Sequence, residues 1–503
     1  MISSSKQIKF GAILSYTSII LSVVAGLLYT PWMVDQIGQS SYGLYTLANS
    51  IISLFLIDFG LSSAVSRYLA KYNAEGKQEQ AEQFLGAVYK LYLIVDAVIF
   101  AVLFVYFFLI DSVYVGMSVS ERADFKIVFL ISAAFSVINF PFVTFNGILN
   151  AYEKFIPLKL IDVFYRIFSV LLTIVALLLG YGVFALVSVQ AIVGLLSILF
   201  KFIAIKKSVP IRVRFGKVEK GTYKEIFSFS IWVTVATIAQ RLIFNITPTI
   251  LGVVATTAAI AVFGVVVTIE SYAFTLTSAI NGMFLPKISK IVIGEEAEKN
   301  LTPLLVSVGK FQYAISGLII AGFAVIGKYF INIWMGPEYI GAYYGLLLVL
   351  TPGIFYNSLQ IANTTVIVTK KVKTKAIVGV ITAVINLALA FPLGKHFGVV
   401  GACMSICIAY MFRAVALNII YHKILPLNMI TFIKKVYVRM SIPIILTIGA
   451  GIGLNYIIAD SGWLMFAVKA MIICLIYLIF TYLIGLNKQE KQSVLNKIIK
   501  KRT

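Results

Sequence analysis

Charged side chains interrupt several long apolar runs of this 503-residue chain. Because they are ionisable, these side chains are the candidates for binding a substrate or an ion. Ionisable groups at the depth of a lipid bilayer cost free energy and are usually functional. The positions concerned are Asp58, Lys90, Asp96, Asp162, Arg166, Arg241, Glu270, Arg413 and Lys469. They could bind a polar or charged substrate within an otherwise apolar protein.

Depth within the apolar runs separates these basic residues. Arg241 is roughly 13–15 residues from an end of its predicted helix, near the midplane, and Arg413 is about ten residues from its own. A midplane arginine that faces lipid is costly, so both should face a wet or polar interior. We predict that Arg241 and Arg413 line a central cavity. Lys90 and Arg166, about eight or nine residues from a helix end, are candidates for cavity lining and for structural roles equally.

The acidic residues allow structural and functional interpretations. Asp162 and Arg166 are four residues apart, so they could form an ion pair on one helix face. Asp58 precedes Gly60 near a predicted helix end. A structural role at that helix end explains the presence of this carboxylate as well as a functional role does. Glu270 lies near the midplane, where it could pair with an arginine or bind a coupling ion.

The charge of the predicted cavity indicates its ligand. Lys90, Arg166, Arg241 and Arg413 outnumber Glu270, which favours an anion. A guanidinium presents planar donors that match two phosphate oxygens at once. A drug-cation pump would instead need a cavity dominated by carboxylates. We therefore predict that the cavity binds an anion, with the arginines favouring a phosphate group.

The elements that position these residues are apolar runs of membrane-spanning length. The chain is 60% hydrophobic and 12% charged, whereas soluble domains carry roughly 25% charged residues. A spanning helix needs about 20 apolar residues, which predicts an all-α integral membrane protein with about fourteen helices. The first run is too long for a signal-peptide core, so we expect it to be retained. The runs are 10–34, 42–66, 81–110, 124–150, 158–180, 182–205, 226–254, 257–284, 302–331, 341–369, 374–394, 398–422, 438–459 and 462–486.

The distribution of the +22 net charge predicts the orientation. Most Lys and Arg residues lie at the termini and in alternate connections, above all between 205 and 225. By the positive-inside rule, both termini and these connections are cytoplasmic in a multi-pass plasma-membrane protein. No continuous basic face is present, so we expect no nucleic-acid partner.

A weak internal repeat suggests duplication. A shift of 216 residues places YGVFALVSV (181–189) on FGVVGACMS (397–405), and a shift of 217 places Thr30-Pro31 on Thr247-Pro248. We predict two parallel six-helix lobes with the substrate site between them. The N-lobe would be 1–205, the basic linker 206–225 and the C-lobe 226–424, with helices 13 and 14 and a basic tail in 425–503.

The repeat does not extend to the charges. Arg241 falls on Val24, and Arg413 falls on Ser197. Packing of the repeated scaffold therefore does not require an arginine at either position. This asymmetry favours a functional role for Arg241 and Arg413.

The sequence gives little indication of a metal site, a cofactor site or a catalytic site. The three cysteines lie in apolar runs and the two histidines are far apart, so we expect no metal site and no cofactor. The predicted outer loops hold about a dozen residues or fewer, too few for a folded domain. No catalytic constellation is evident, so an enzyme such as a membrane polysaccharide polymerase is a minor alternative.

Two segments carry a resemblance to a known family. Residues 37–72 contain Tyr42-Gly43-Leu44, Ile57-Asp58-Phe59-Gly60 and Arg67, and residues 263–290 end in FLPKISK. Both resemble the polysaccharide-unit flippases of the MOP superfamily (multidrug, oligosaccharidyl-lipid and polysaccharide exporters). The fourteen-helix plan and the basic middle connection are similar too. Glu270 matches no part of that pattern, which leaves the coupling ion open.

The resemblance implies a MATE-like fold and a bacterial flippase working by alternating access. Its substrate would be an oligosaccharide on a polyprenyl diphosphate of the undecaprenyl type, for capsule, exopolysaccharide or a related envelope polymer. The resemblance implies that the basic central cavity would bind the diphosphate or acidic sugars. Membrane lipids would surround it, and polymerases or glycosyltransferases are possible partners. A multidrug exporter and a lipid II flippase of the same superfamily remain alternatives.

Overall fold

The computed structural model describes residues 23–56, 60–216, 222–278, 284–292, 294 and 297–492, with backbone alone at 63, 222–230, 233 and 285–287. Asp58 and the first part of the predicted run 10–34 lie outside these residues. Within them every regular element is a helix. A helix satisfies its own backbone hydrogen bonds, which lipid cannot do. The prediction of an all-α protein is confirmed.

The helices are numbered in chain order. They are α1 (23–37), α2 (Gln39–Phe55), α3 (Leu61–Ala74), α4 (Gln78–Val113), α5 (Val119–Asn139), α6 (Thr144–Ala151), α7 (Phe155–Leu178), α8 (Gly182–Ser208), α9 (Thr222–Phe244), α10 (Ile246–Val254), α11 (Thr257–Ser278), α12 (Leu285–Val292), α13 (Ala297–Met335), α14 (Gly341–Asn357), α15 (Gln360–Val368), α16 (Val372–Ile424), α17 (Met429–Phe432), α18 (Arg439–Ile457) and α19 (Gly462–Phe480).

Eleven segments of the described chain are long and apolar enough to cross a membrane. The longest, α16, has 53 residues and contains non-helical backbone at Gly398, with φ 56°. Only glycine adopts a positive φ readily, so Gly398 divides α16 into the two runs predicted at 374–394 and 398–422. Gly60, with φ 69°, likewise lies at a break in the predicted run 42–66. The multi-pass fold is confirmed, and the count of fourteen stays a prediction.

The chain divides into two compact units, unit 1 ending at Gly264 and unit 2 beginning at Val265, within α11. In unit 2, α18 and α19 pack against α13. A Cβ atom on Gly317 would lie 2.6 Å from the Tyr477 hydroxyl of α19 and 2.7 Å from Ile444 of α18. The predicted lobe boundary in the linker 206–225 stays a prediction.

The described part of that linker lies against the start of α4. Gln78 donates a hydrogen bond to the Pro210 carbonyl at 2.7 Å. Arg214 forms an ion pair with Glu79 at 2.8 Å. The described part of the basic connection is therefore held against the N-terminal end of α4.

Helix α2 and the first half of α11 approach each other at backbone distance within unit 1. A Cβ atom on Gly43 would lie only 2.2 Å from the Thr257 carbonyl oxygen. Beside it, the hydroxyls of Ser40 and Thr257 donate to Glu121 at 2.7 and 2.6 Å. Small residues permit such close helix contacts in membranes. Gly43 is therefore a packing requirement of this helix pair.

The end of the last spanning segment is fixed to unit 2 by charged groups. Glu490 accepts hydrogen bonds from the buried Lys310 of α13 at 2.8 and 2.9 Å. Arg439 donates to the carbonyls of Ile484 and Leu486, both at 2.8 Å. Burial raises the pKa of Glu490, but the hydrogen bonds from Lys310 and the Asn487 amide, with the nearby positive charges, hold it below its ordinary value.

We expect this contact to make stability depend on pH. Because the pKa of Glu490 is lower in the folded state, its ionised form stabilises the fold above the ordinary value of 4.5, and this contribution is lost as pH falls through the folded-state pKa. In detergent, the Tm of the natural protein should fall more steeply below pH 4.5 than that of Glu490→Gln. Glu338→Gln, at an exposed carboxyl of unit 2, is the control and should keep the natural slope. Parallel slopes for the natural protein and Glu490→Gln would contradict the assignment.

The α2–α11 contact gives a second expectation. Gly43→Ala should lower the Tm, because the added methyl group overpacks the contact at a cost of about 1–3 kcal/mol. Gly322→Ala is the matched control, since a Cβ atom there meets nothing within 4 Å. Thermal unfolding followed by intrinsic fluorescence compares the two. Equal Tm values would mean that the helices can separate at no cost.

Candidate functional site

A groove of about 390 Å³ opens in unit 1. Its polar lining comes from three helices: Tyr29 of α1, Tyr165, Arg166 and Ser169 of α7, and Gln190 of α8. The rest of the lining is apolar, and the Arg166 side chain is exposed. Ligand sites usually combine apolar walls with a few convergent polar groups. The groove therefore offers one guanidinium, hydroxyls, an amide and aromatic rings to a ligand.

The spacing of the residues on α7 explains why they share the groove. Residues three and four apart lie on one helix face, so Ser169 stands one turn from both Arg166 and Tyr165. Phe164 instead packs edge-on against Phe200 of α8, with ring centroids 5.0 Å apart. This aromatic contact fixes the rotation of α7 and thereby directs Arg166 into the groove.

Hydrogen bonds hold the other polar groups in place. Gln190 donates to the Tyr45 hydroxyl of α2 at 2.5 Å, and Tyr45 also bonds Asn49. Tyr29 is hydrogen-bonded to Thr173 of α7. The groove is thus built from preorganised side chains on four helices.

Asp162 lies one turn before Arg166 on α7. Its carboxylate forms ion pairs with Lys201 of α8 at 3.2 Å and with Lys159 at 3.6 Å. Lys201 also donates to Asn146 at 3.0 Å. The structure shows the carboxylate paired with these two lysines, and the Asp162–Arg166 pair suggested by the sequence stays a prediction. With Arg166 one turn further along α7, three cations and one carboxylate lie in this part of the chain, so its net charge is positive.

Arg241 has a structural contact at the end of α2. Its guanidinium donates to the Ser53 carbonyl, which belongs to the last turn of that helix. The last carbonyls of a helix lack partners within the helix, and a cation there also interacts favourably with the helix dipole. Partly buried Arg241 therefore stabilises the C-terminal end of α2.

Arg413 lies in an aromatic cage in unit 2. Its side chain is 5% exposed. The guanidinium carbon lies 4.3 Å from the ring centre of Tyr356 and 5.5 Å from that of Tyr410, and one nitrogen donates to the Tyr356 hydroxyl at 3.1 Å. Cation–π contacts of this kind balance a buried charge without a carboxylate. The cage joins α14 to α16.

The remaining candidates are distributed over both units. Lys90 is exposed on α4 of unit 1, and Glu270 lines a small cavity of unit 2. The structure brings Arg166 and Asp162 together on α7, with lysines around them. Roles for Lys90, Arg241, Arg413 and Glu270 in substrate binding stay predictions.

Charge in the middle of an apolar run does not identify several polar residues of the groove and its surroundings. Tyr29 and Gln190 of the lining carry no charge, nor does Tyr45, which bonds Gln190. Lys201, which pairs with Asp162 outside the lining, lies near the end of its run. The sequence does contain one signal for two of these residues. Gln190 and Lys201 are polar residues within the predicted run 182–205, where an unpartnered polar group is costly.

Comparisons with known proteins agree with this fold. Residues 8–293 match the family described as polysaccharide biosynthesis protein, which covers more than half of the chain. The chain is 22% identical over 504 aligned positions to "Uncharacterized membrane protein EpsK" of Bacillus subtilis (strain 168), covering 96% of each chain. It is 23% identical to the "Putative O-antigen transporter" of Shigella flexneri, covering 78% of this chain and 92% of the relative.

Solved structures show the same architecture. "Lipid II flippase MurJ, inward closed conformation" superposes with a TM-score of 0.74 at 17% identity, covering 94% of this chain and 98% of the other. An inward-facing multidrug resistance MATE family transporter of the MOP superfamily has a TM-score of 0.66 at 14% identity, covering 82% and 97%. The MATE-like fold implied by the sequence resemblance is confirmed.

Arg413 and Arg166 should respond differently to truncation. Arg413→Ala removes the centre of a buried cage and should lower the Tm by several degrees, as loss of a buried interaction does. Arg413→Lys keeps the charge but loses the planar stacking, so it should also be destabilised. Arg166→Ala, at an exposed position, is the comparison and should unfold near the natural Tm in the same detergent. A Tm for Arg413→Ala as high as for Arg166→Ala would show that the cage does not stabilise the fold.

Proposed function

Because this chain belongs to the polysaccharide biosynthesis protein family, we propose that it is a flippase for oligosaccharides linked to a polyprenyl diphosphate of the undecaprenyl type. It carries the sugar units across the cytoplasmic membrane for assembly of an envelope polysaccharide. The family match supports the polymer class, and the multi-pass helical fold supports transport across a membrane. A carrier moves its substrate without making or breaking covalent bonds, so no catalytic residues are assigned.

The observation that carries the proposal is the position of Arg166 in the unit 1 groove. Its planar guanidinium can bind two oxygens of a diphosphate at once. Lys159 and Lys201, around Asp162, add positive potential that attracts an anion. The hydroxyl and amide groups of Tyr165 and Gln190 can bond sugar hydroxyls, while the apolar walls accept the faces of sugar rings.

Alternating access of two lobes would complete the cycle, as in other carriers built from parallel repeats. The sugar would cross through the protein while the polyprenyl tail stays in lipid. In this scheme both termini face the cytoplasm, consistent with the basic connections on that side. Glycosyltransferases and a polymerase would supply and consume the lipid-linked units.

Two related functions are alternatives to this proposal, and the groove argues against the first. A multidrug or organic-cation exporter needs acidic groups to hold its substrate, whereas the groove presents an arginine and no carboxylate among its lining residues. A lipid II flippase binds the same diphosphate chemistry, so the groove alone does not separate it from the leading proposal. The lipid-linked precursor that accumulates in cells lacking the gene separates the two.

Arg166→Ala should reduce surface polymer and cause lipid-linked oligosaccharide to accumulate, when the variant replaces the natural gene. Loss of one charge-assisted contact of about 1.5–3 kcal/mol corresponds to an affinity loss of tenfold or more. Arg166→Lys should recover part of the export, because it keeps the charge without the planar fork. Surface polymer is measured by immunoblot, and lipid-linked precursors are measured by mass spectrometry of lipid extracts.

Arg214→Ala is the matched control, since that exposed arginine of unit 1 pairs with Glu79 away from the groove. It should export polymer normally. Normal export by Arg166→Ala at equal protein level would remove the groove from the mechanism. Accumulation of lipid II, rather than a longer oligosaccharide, in the deletion strain would favour the lipid II flippase.

A further inference from the structure

A second cavity of unit 1, of about 1090 Å³, opens at the ends of three segments that are long enough to cross a membrane. Its walls come from the first turns of α4, from α6 with the residues just before it, and from the end of α8. Residues 209–215, which are not helical and are called the linker segment below, form a further wall. Ligand pockets usually measure about 300–1,000 Å³. The cavity can therefore hold an organic molecule rather than a single ion.

The linker segment is held against one face of α4. Gln78, Glu82 and Gly86 are spaced four residues apart, so they share that face. Gln78 donates to a carbonyl of the linker segment at 2.7 Å, and the Glu82 carboxylate accepts from the Arg212 amide at 3.3 Å. A Cβ atom on Gly86 would lie 2.1 Å from the Arg214 carbonyl oxygen. This wall of the cavity is therefore an integral part of unit 1.

Apolar side chains at alternate positions of the linker segment line the cavity. They are Val209, Ile211, Val213 and Phe215. Side chains of a non-helical, extended chain point alternately to opposite sides, which gives the segment one apolar side. Val213 is 41% exposed and Phe215 is 60% exposed, although both lie beyond the end of α8. Exposed apolar groups among charged ones are typical of an interaction site.

Aromatic rings form another wall. The ring centroid of Phe145 lies 5.3 Å from that of Phe142 and 6.3 Å from that of Phe202. Tyr89 also lines the cavity, but its hydroxyl already accepts a hydrogen bond from Thr144 at 2.8 Å. A hydrocarbon chain can therefore contact the rings as well as the apolar side of the linker segment.

The polar groups that remain available in the lining are cationic. Lys206 of α8 and Arg212 are both exposed, and no hydrogen bond or ion pair engages either side chain within the described part of the chain. With Glu82 as the one carboxylate of the lining, its net charge is positive. Ammonium and guanidinium groups both bind phosphate oxygens. Basic pockets at the ends of membrane helices are suited to anionic lipid head groups.

We propose that this cavity binds one anionic phospholipid of the surrounding membrane. Its phosphate contacts Lys206 and Arg212, and an acyl chain lies between the linker segment and the rings of Phe145 and Phe202. Charge complementarity selects the anionic head group, and the apolar walls select a lipid over a free phosphate. A lipid-linked sugar fits less well, because the other polar side chains of the lining are already hydrogen-bonded. The proposal does not rest on the carrier function.

Binding can be measured on the purified full-length protein in a non-ionic detergent. The probes are phosphatidylglycerol, phosphatidylcholine with the same acyl chains, and inorganic phosphate. Native mass spectrometry should show one phosphatidylglycerol retained per protein, and this lipid should raise the Tm until the site is saturated, because it binds the folded state. Phosphatidylcholine and inorganic phosphate should do neither. Equal effects of the two phospholipids would show unspecific coverage by lipid and would overturn the proposal.

Variants locate the site. Lys206→Ala and Arg212→Ala should each lower the affinity for phosphatidylglycerol by about tenfold, since each removes a charge-assisted contact. Val213→Asp adds a carboxylate to the apolar wall at an exposed position and should also weaken binding. Lys207→Ala is the matched control, because that exposed lysine adjoins Lys206 without lining the cavity. An equal loss in Lys206→Ala and Lys207→Ala would indicate general surface attraction and reject the site.

The polyprenyl carrier is the rival occupant, and undecaprenyl diphosphate tests it in the same assay. Retention of this lipid in a manner that depends on Lys206, without retention of phosphatidylglycerol, would assign the cavity to the carrier lipid and contradict the proposal. The assay does not use polymer export. Loss of the proposed carrier function would therefore leave the result for phosphatidylglycerol unchanged, and the two proposals can fail separately.

Discussion

The cost of placing charge in an apolar medium governs the arrangement of this protein. Lipid offers no hydrogen bonds, so the backbone is helical and each charged side chain at depth needs a local partner or access to water. The chain meets this requirement in several ways. Arg413 lies between two tyrosine rings, Arg241 binds a carbonyl at a helix end, and Asp162 is shared by two lysines. These contacts also join helices that are distant in sequence, so balancing the charges contributes to the packing.

Two other charged side chains each line a groove or a cavity. Arg166 is exposed to a groove, and Glu270 faces a small cavity. The two side chains have opposite charge and lie in different units.

The sequence could predict the helices because long apolar runs are the dominant signal of a membrane fold. It could not predict their breaks as well, since Gly60 and Gly398 interrupt runs whose hydropathy is continuous. The direction in which each charged side chain points is even less predictable from the sequence. Successive residues of a helix turn by about 100°, so an error of one residue in register moves a side chain to another face. Arg413 and Arg166 have similar sequence surroundings, yet one is caged by rings and the other faces a groove. The bond between Gln190 and Tyr45 joins residues 145 positions apart, which no local pattern indicates.

The predicted duplication has one direct structural counterpart. Where duplicated elements meet about a two-fold axis, a residue contacts its own equivalent. The hydroxyl oxygens of Ser40 and Thr257, which both donate to Glu121, lie 3.2 Å apart, and the two residues are separated by 217 positions, one of the two shifts that align the halves of the sequence. That contact supports the repeat, while the charges depart from it. Glu270 corresponds to Ser53 under the shift of 217 and Arg166 to Thr382 under the shift of 216, and both equivalents are uncharged. Symmetric packing of the predicted repeat therefore does not require either charge.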